Sequence, residues 1–364
     1  MPVGKTDAAS ALALVRPAIR AMHGYTPGEQ RPDAVKLNTN EGAAPPSPAV
    51  RAALAAIADD ALRLYPDPTA KPLRVAAAAR FGVAPEQVLA GNGSDDCLTI
   101  LYRTFLDVGD RVACPWPTYG LYQQLAEIQG ATLVKVPFVQ SARAWTLPRG
   151  LDAQGAKMII LANPNNPSAT FVPTGELRTL ADAAPGAIVV VDEAYIDFAL
   201  AEDPNASVLP HLDAHPNLVV LRTFSKGYSL AGARLGLLFA APALVEEMNK
   251  VKDSYNVNAV TQALGVAALE DRAAHEAAMV ATVAERARVE RELASMGLTW
   301  PAARANFLFV EIGDHAQRVL ESVRAAGVLV RWWSAPDLKT KLRLTIGRPE
   351  QNDRLLAALR AALA

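Results

Sequence analysis

Residues 187–195 read AIVVVDEAY, and residues 217–226 read NLVVLRTFSK. Each stretch is a near-continuous apolar run, rich in β-branched residues, that ends in polar side chains. A strand that is apolar on both faces is typical of a parallel sheet covered by helices on both sides. We therefore predict two buried strands, with Asp192 and Tyr195 following the first and Lys226 following the second.

The same alternation of short apolar runs and helical patterns extends through the middle of the chain. It includes VLAGNG, DRVACPW, ATLVKVPF and KMIILA, each followed by a turn or a helix. This order predicts an α/β fold with a mainly parallel sheet and a smaller α+β domain after it. The predicted parts are an N-terminal arm with part of the small domain (1–53), a large domain (54–258) and a small C-terminal domain (259–364).

The composition restricts the class of protein. The chain has 364 residues, a formal net charge of −1 and two cysteines, Cys97 and Cys114, without metal-ligand spacing. A near-neutral chain has no electrostatic field that attracts nucleic acid or an anionic membrane, so we expect neither as a partner. We also expect no bound metal. No apolar run approaches the roughly 20 residues of a membrane span. We expect a cytoplasmic protein whose cysteines are packed as small buried groups.

Four polar clusters follow predicted strands: GNGSDD (91–96), NPNNP (163–167), DEAY (192–195) and TFSK (223–226). Ligands of parallel α/β sheets gather at the carboxyl ends of the strands, so the clusters are expected to share one site. Ser94 and Asp95 begin a helix, which suits either a phosphate site or ordinary capping. The Asp192 carboxylate could hold a proton on a ring nitrogen of a ligand, or it could simply accept hydrogen bonds from backbone amides. Asn163 could donate a hydrogen bond to a ligand oxygen, or it could simply be a turn residue.

Lys226 carries the most specific chemistry. A lysine that forms a Schiff base must reach its neutral amine state, which desolvation and nearby cations favour. Thr223, Ser225 and Arg234 could hold a phosphate beside it. A ligand with a phosphate, a ring nitrogen, a phenolic oxygen and an aldehyde is pyridoxal 5'-phosphate, an electron sink for carbanions.

With these motifs in hand, the sequence resembles the fold-type I pyridoxal-phosphate-dependent aminotransferases, and among them the histidinol-phosphate aminotransferases. The motifs YPDP, GNGSDD, PTYGLY, NPNNPSAT, VVVDEAY, TFSKGYSLAGARLG, YNVNAVTQA and LRLTIG occur in the order of that family. The resemblance implies a large domain with a sheet of the seven-stranded type, a smaller domain and a homodimer with shared active sites.

The resemblance also implies residue roles at the cofactor. Lys226 would bond to it and move the proton between substrate and cofactor. Asp192 would pair with the ring nitrogen, Asn163 and Tyr195 would contact the phenolic oxygen, and Tyr119 would stack on the ring. The residues implied for the phosphate are Ser94, Asp95, Thr223, Ser225, Arg234 and, from the neighbouring subunit, Tyr65.

At the substrate end, Tyr25, Arg331 and Arg343 match family positions. Histidinol phosphate has no carboxylate, so Arg343 would bind its phosphate, or the carboxylate of glutamate in the other half-reaction. Arg331 could instead lie at the surface over Trp332 and Trp333.

The expected reaction is amino transfer between L-histidinol phosphate and 2-oxoglutarate, giving imidazole acetol phosphate and glutamate. The alternatives are an aromatic amino-acid aminotransferase, with both tryptophans in the pocket, and a decarboxylase of a phosphorylated amino acid. A cofactor-sensing regulator on the same fold would carry a fused DNA-binding domain, for which this chain has no spare length.

Overall fold

The computed structural model of the chain describes residues 8–22, 24, 27–141 and 143–364. Its helices, numbered in chain order, are α1 (Ala8–Ala13), α2 (Pro17–Ala21), α3 (Pro48–Ala55), α4 (Asp59–Arg63), α5 (Lys71–Phe81), α6 (Ser94–Phe105), α7 (Leu121–Gln129), α8 (Thr174–Ala183), α9 (Ile196–Leu200), α10 (Pro242–Val251), α11 (Ala259–Glu270), α12 (Arg272–Ser295), α13 (Ala316–Ala325) and α14 (Pro349–Leu363).

The strands are β1 (Val35–Lys36), β2 (Val88–Gly91), β3 (Arg111–Trp116), β4 (Thr132–Pro137), β5 (Val139–Gln140), β6 (Trp145–Thr146), β7 (Met158–Ala162), β8 (Ile188–Asp192), β9 (Leu218–Thr223), β10 (Gly236–Phe239), β11 (Phe307–Glu311), β12 (Val328–Leu329) and β13 (Lys341–Thr345). The large sheet has seven strands in the order β2-β10-β9-β8-β7-β3-β4. The predicted seven-stranded architecture is therefore confirmed.

The large sheet is parallel except for β10, which is antiparallel to both of its neighbours. Strands β7, β8 and β9 run in register, with Asp192 opposite Ala162 on one side and Leu221 on the other. All five residues of β7 and all six of β9 are buried, because helices cover both faces. The polar residues after β2, β3, β7, β8 and β9 consequently leave the sheet at one common edge.

Local sequence explains where several helices begin and end. The Ser47 hydroxyl accepts a hydrogen bond from the Val50 amide at 3.4 Å at the start of α3. The Asn258 side chain accepts one from the Thr261 amide at 2.8 Å and caps α11. Helix α7 ends at Gly130, whose φ of 78° lies in the left-handed region that favours glycine.

Apolar side chains form large clusters on the two faces of the main sheet and a separate one around β11, β12 and β13. That third cluster also contains Leu37, which follows β1, and residues of α12, α13 and α14. Strand β1 pairs in parallel with β12, so the N-terminal segment adds a strand to the C-terminal part of the chain.

The division of the chain into 1–53, 54–258 and 259–364 remains a proposal. The packing of α11 bears on the second boundary, because Leu264, Ala268 and Leu269 lie in the same apolar cluster as residues of the large sheet. In the C-terminal part of the chain, the first residue of the third cluster, the one around β11, β12 and β13, is Val289, within α12. We would therefore move that proposed boundary from 258/259 into α12.

Candidate active site

A cavity of about 520 Å³ opens at the carboxyl edge of the large sheet. Residues of β1 and β13 and of the segments after β1 and β12 also line it, so the cavity lies between the two parts of the fold. Most of the side chains singled out from the sequence line it: Ser94, Asp95, Tyr119, Asp192, Tyr195, Thr223, Ser225, Lys226, Arg234, Arg331 and Arg343.

Lys226 lies in the loop that follows β9. Its Nζ donates a hydrogen bond to the backbone carbonyl of Thr39 at 2.8 Å. Desolvation, and then the positive charge of Arg343, lower the pKa of Lys226 to about 8, against the opposing effect of Glu41. The amine is therefore much closer to its neutral, nucleophilic state at physiological pH than an ordinary lysine.

Asp192 is the last residue of β8 and is 4% exposed. Its two carboxylate oxygens accept hydrogen bonds from the Tyr122 hydroxyl at 2.7 Å and the Ala194 amide at 3.1 Å. Burial raises the pKa of Asp192 to about 6, and these two hydrogen bonds oppose the rise. A buried carboxylate at a cavity wall is suited to hold a cationic N–H group, because such a partner offsets its cost of desolvation.

Tyr122 was not predicted as a site residue, although it belongs to the motif PTYGLY. Tyr119 and Tyr122 lie at the start of α7, with their rings 5.6 Å apart edge to face. The Tyr119 hydroxyl donates to Asp95 at 3.2 Å, whereas the Tyr122 hydroxyl is directed to Asp192. The available signal was the presence of a second tyrosine in the same short motif, at the start of α7.

The predicted phosphate-binding residues converge where α6 begins. Arg234 Nη1 lies 3.4 Å from the Ser225 hydroxyl, and its Nη2 lies 3.3 Å from Asp95. The Thr223 hydroxyl accepts a hydrogen bond from the Ser225 amide at 3.2 Å. Ser94 stands at the first turn of α6, a helix of 12 residues whose N-terminal amides attract anions.

Two glycines make this arrangement possible. A Cβ at Gly236 would lie 2.3 Å from the Ser94 amide nitrogen, and one at Gly93 would lie 2.6 Å from Arg234 Nη2. Gly93 also has a φ of 92°. Only glycine lets β10 and Arg234 approach the N-terminus of α6 closely enough to form one anion-binding corner.

Asn163 requires a correction. Its side-chain amide donates to the Val172 carbonyl at 3.0 Å and accepts from the Val172 amide at 2.8 Å, and the residue is fully buried. It does not line the cavity, so it stabilises the turn after β7 instead of contacting a ligand oxygen. Asn166, three residues later in the same NPNNP motif, lines the cavity in its place.

Tyr195 follows β8 and is 6% exposed. Its hydroxyl accepts a hydrogen bond from Asn40 Nδ2 at 3.1 Å, and its ring packs against Phe307 at 4.9 Å. Asn40 in turn accepts from the Thr345 hydroxyl at 2.8 Å. The segment after β1 and the strands β11 and β13 therefore set the position of Tyr195, and Asn40 was not predicted to take part.

Arg343 and Arg331 lie side by side, since each backbone amide donates to the other residue's carbonyl, at 2.8 and 3.1 Å. Arg343 is buried; it donates to Asn166 Oδ1 at 2.6 Å and to the Asn38 carbonyl at 2.7 Å. Both guanidinium groups lie over the ring of Trp333, at 5.3 and 5.4 Å from its centroid. The cavity thus has a cationic wall.

Arg331 lines the cavity as well as lying over Trp333, so it is not simply a surface arginine. The two tryptophans behave differently. Trp333 lines the cavity, whereas Trp332 donates from its indole nitrogen to the Lys339 carbonyl at 2.8 Å and packs against the small apolar cluster. The expectation that both tryptophans would line an aromatic pocket is therefore wrong for Trp332.

Tyr65, like Asn163, does not line this cavity. Tyr65 is 81% exposed and stacks on Tyr255, with ring centroids 4.4 Å apart. It does not contact the site of its own chain, which leaves its predicted role in a neighbouring subunit untested. Tyr25 lies outside the described residues.

The residues present fit pyridoxal phosphate. An amine with a lowered pKa, a buried acid, a tyrosine and an anion-binding corner of hydroxyls, amides and one arginine all line a single cavity. They match the aldehyde, ring nitrogen, aromatic ring and phosphate of that group.

The described residues contain no cluster of His, Cys, Asp and Glu that could hold a metal ion. Across the same parts of the chain, every helix is too short or too polar to span a bilayer.

Comparison with known proteins agrees with this geometry. The family described as aminotransferase class I and II matches residues 32–359. Histidinol-phosphate aminotransferase 1 of Nostoc sp. is 39% identical over 353 residues, covering 96% of this chain and 98% of the relative. Histidinol-phosphate aminotransferase of Synechocystis sp. is 40% identical over 348 residues, covering 95% and 97%.

Among solved structures, the histidinol-phosphate aminotransferase of Sinorhizobium meliloti in complex with pyridoxal-5'-phosphate superposes with a TM-score of 0.89. It is 27% identical, and the match covers 98% of this chain and 99% of that one. The predicted family and fold are confirmed. The chain therefore belongs to the aminotransferase class I and II family of pyridoxal-phosphate-dependent enzymes, among the histidinol-phosphate aminotransferases.

Proposed function

We propose that the protein transfers the amino group of L-histidinol phosphate to 2-oxoglutarate in histidine biosynthesis. The observation that carries this proposal is the pair of arginines, Arg331 and Arg343, whose backbones are hydrogen-bonded to each other and which line the same cavity as Lys226. A phosphate monoester and a dicarboxylate each need cations at the distal end of the substrate. The names of the relatives support the same substrate.

Pyridoxal phosphate, when bound, supplies an electron sink for the carbanion left when the substrate loses its α-proton. In our proposal Lys226 removes that proton and returns it, which its lowered pKa favours. Asp192 holds a proton at the ring nitrogen, with Tyr122 fixing the orientation of the carboxylate. Tyr195 and Asn166 bind the phenolic oxygen, and Tyr119 packs on the ring.

Ser94, Asp95, Thr223, Ser225 and Arg234 are proposed to bind the phosphate of the cofactor. The amides at the start of α6 contribute hydrogen bonds and a favourable helix dipole there. Since the phosphate is remote from the bond that changes, these residues aim the aldehyde at Lys226 and take no part in the chemical step.

We also propose that the active unit is a homodimer. Tyr65 and several apolar side chains near it are exposed on one chain, and burial against a second copy would remove them from water. The apolar members of this group are Leu54, Leu62, Leu64 and Tyr255. Tyr65 and Tyr25 would then reach the partner's site.

We also propose that the enzyme is cytoplasmic, which the unpaired cysteines Cys97 and Cys114 support.

A substrate comparison tests the reaction. The purified enzyme loaded with pyridoxal phosphate is assayed with 2-oxoglutarate and either L-histidinol phosphate or L-phenylalanine, and kcat/KM is measured for each. We expect a large preference for histidinol phosphate, which should shrink in Arg331→Met because that variant loses one anion-binding group. A preference for phenylalanine would instead identify an aromatic aminotransferase, and release of CO₂ without need for 2-oxoglutarate would identify a decarboxylase.

A further inference from the structure

Behind the cavity lies a group of buried polar side chains that none of the assignments above uses. We call Glu193, Asp197, Ser207 and Arg222 the Arg222 cluster. Their exposed fractions are 1%, 6%, 6% and 5%, and none of the four lines the cavity. Two carboxylates and one guanidinium are thus enclosed together in the interior.

The contacts within the cluster are specific. Arg222 Nε lies 2.8 Å from Glu193 Oε2, and Arg222 Nη1 lies 3.4 Å from Asp197 Oδ1. Arg222 Nη2 donates to the Ser207 hydroxyl at 2.9 Å, and that hydroxyl donates to Glu193 at 2.8 Å. The Val208 amide donates a hydrogen bond to Glu193 Oε1 at 2.8 Å. Arg222 is therefore held by three different side chains in one geometry.

The cluster joins the two segments that carry the chemistry. Glu193 directly follows Asp192, and Asp197 lies two residues after Tyr195; both belong to the segment that leaves β8. Arg222 lies in β9, four residues before Lys226. The ion pairs of Arg222 with both acids therefore tie β9 and the Lys226 loop to the segment that carries Asp192.

The loop itself rests on one member of the cluster. A Cβ placed on Gly227 would lie 2.4 Å from Asp197 Oδ2 and 2.9 Å from Asp197 Cβ. The backbone immediately after Lys226 thus lies directly against the Asp197 side chain. A change in the position of Asp197 would displace the loop at the residue adjacent to the lysine.

Stability alone does not account for this arrangement. A buried ion pair is often no more stabilising than apolar side chains of the same volume, because both charges lose their hydration. Here burial raises the pKa of Glu193 even though Arg222 opposes the rise. His275 adds no compensating charge, since burial lowers its pKa, and its Nε2 is 3.8 Å from Asp197. What the charged groups contribute is a fixed place for the Arg222 guanidinium, set by its directed bonds to Ser207 and Asp197 and by its ion pair with Glu193.

We propose that the Arg222 cluster is a positioning unit, which holds the Lys226 loop in a fixed relation to Asp192 and Tyr195. None of its members touches the cofactor or the substrate. The proposal depends on the bond between Lys226 and the cofactor but not on which substrate the enzyme uses.

The test compares Arg222→Met, Arg222→Lys and Asp197→Asn with Arg286→Met. Arg286 is a matched control, because it is 4% exposed and pairs with Glu202 at 2.8 Å away from the Lys226 loop. Three quantities are measured: the apparent pKa of the visible band of the lysine-bound cofactor, kcat, and hydrogen–deuterium exchange of residues 224–230 in the full-length apoprotein. Thermal unfolding is recorded for every variant.

We expect Arg222→Met to move the apparent pKa of the visible band by about one unit or more, because the lysine changes its surroundings. It should lower kcat by about 100-fold, since misplacement of a reacting group by about 1 Å has that effect, and leave KM nearly unchanged. Exchange in 224–230 should rise. Arg222→Lys should recover part of each change, whereas Arg286→Met should lower Tm without moving the band or kcat.

If Arg222→Met and Arg286→Met lose the same stability and both keep the wild-type band and kcat, the cluster is merely structural and the proposal is wrong. If Arg222→Met fails to fold, Asp197→Asn provides the test, because this variant keeps the shape of the side chain beneath Gly227 and removes only its charge. A wild-type band and a wild-type kcat in Asp197→Asn would also overturn the proposal. The band and the exchange rates need no substrate, so an error in the proposed reaction would not alter them.

Discussion

The Nζ of Lys226 donates a hydrogen bond of 2.8 Å to the backbone carbonyl of Thr39, which lies 187 residues earlier in the chain. Lys226 lies in the loop after β9 of the large sheet, whereas Thr39 follows β1, the strand that pairs with the C-terminal β12. The amine is thus located at the meeting point of the two parts of the fold, and the cationic wall of Arg343 faces the same cavity.

Replacement of this lysine is the most direct test of its assignment. Lys226→Ala should lose the visible absorbance of the lysine-bound cofactor and reduce turnover to background, because in our proposal this amine is both the base and the attachment point. The matched control is Lys250→Ala, an exposed lysine paired with Glu247. An unchanged spectrum and rate in the Lys226 variant would refute the assignment.

The lowered pKa of Lys226 predicts how the apoprotein responds to pH. Labelling of this amine by an amine-reactive reagent, followed by mass spectrometry, should rise with a midpoint near pH 8, well below the ordinary lysine value of 10.5. A midpoint for Lys226 near 10.5 would contradict the prediction.

The same pKa has a consequence for stability. Between pH 8 and 10.5 the unfolded chain binds more protons at this lysine than the folded chain does, so its contribution to the free energy of unfolding rises with pH. Below pH 8 the cost of burying the charged amine is fully present. Lys226→Met removes that cost, so the stability gained by this variant over wild type should shrink as the pH rises through this window. Urea denaturation at several pH values measures the difference.

Tyr122 and Tyr102 form a natural pair for measuring the hydrogen bond to Asp192. Tyr122 donates to the buried carboxylate at 2.7 Å, whereas Tyr102 donates to the neutral carbonyl of Tyr122 at 3.1 Å. Tyr122→Phe should cost about 1.5–3 kcal/mol of unfolding free energy in the apoprotein, and Tyr102→Phe about 0.5–1.5 kcal/mol. Equal losses in urea denaturation would indicate that the carboxylate does not strengthen the bond.

Asn163 and Asn166, two of the three asparagines of NPNNP, are expected to respond in opposite ways. Asn163→Ala removes both bonds to Val172 in a buried turn and should destabilise the protein by about 1–3 kcal/mol. Asn166→Ala opens the cavity wall beside Arg343 and should lower kcat/KM with little loss of stability. Comparing urea denaturation and steady-state kinetics of the two variants distinguishes the roles; a larger kinetic effect from Asn163 would restore the sequence-based prediction.

Gly236 tests the anion-binding corner. In Gly236→Ala the new methyl group would lie 2.3 Å from the Ser94 amide nitrogen, so β10 must move away from the start of α6. We expect weaker binding of pyridoxal phosphate, measured by titration of the apoprotein, together with a lower Tm. Gly232→Ala is the control, because its Cβ would have nothing within 4 Å. The explanation fails if both variants bind the cofactor equally well.

Much of this protein was readable from sequence, because the fold of a parallel sheet follows from local patterns. Apolar runs such as 188–191 and 218–221 define buried strands, and the chain direction then brings Asp192, Lys226 and Ser94 to one edge. All three line one cavity, since each lies at the end of its strand or three residues beyond it.

Tertiary structure decided what depends on distances between segments remote in sequence. It assigned Asn163 to the turn and Asn166 to the cavity, and it separated Trp333 from Trp332, because neighbouring residues in a loop can point to opposite sides. It also brought Tyr122 to Asp192 and Thr39 to Lys226. The sequence by itself determined the fold and the chemical groups of the site; only the packing of the chain determined which polar atoms face each other, since hydrogen bonds are set by ångström distances that no local pattern encodes.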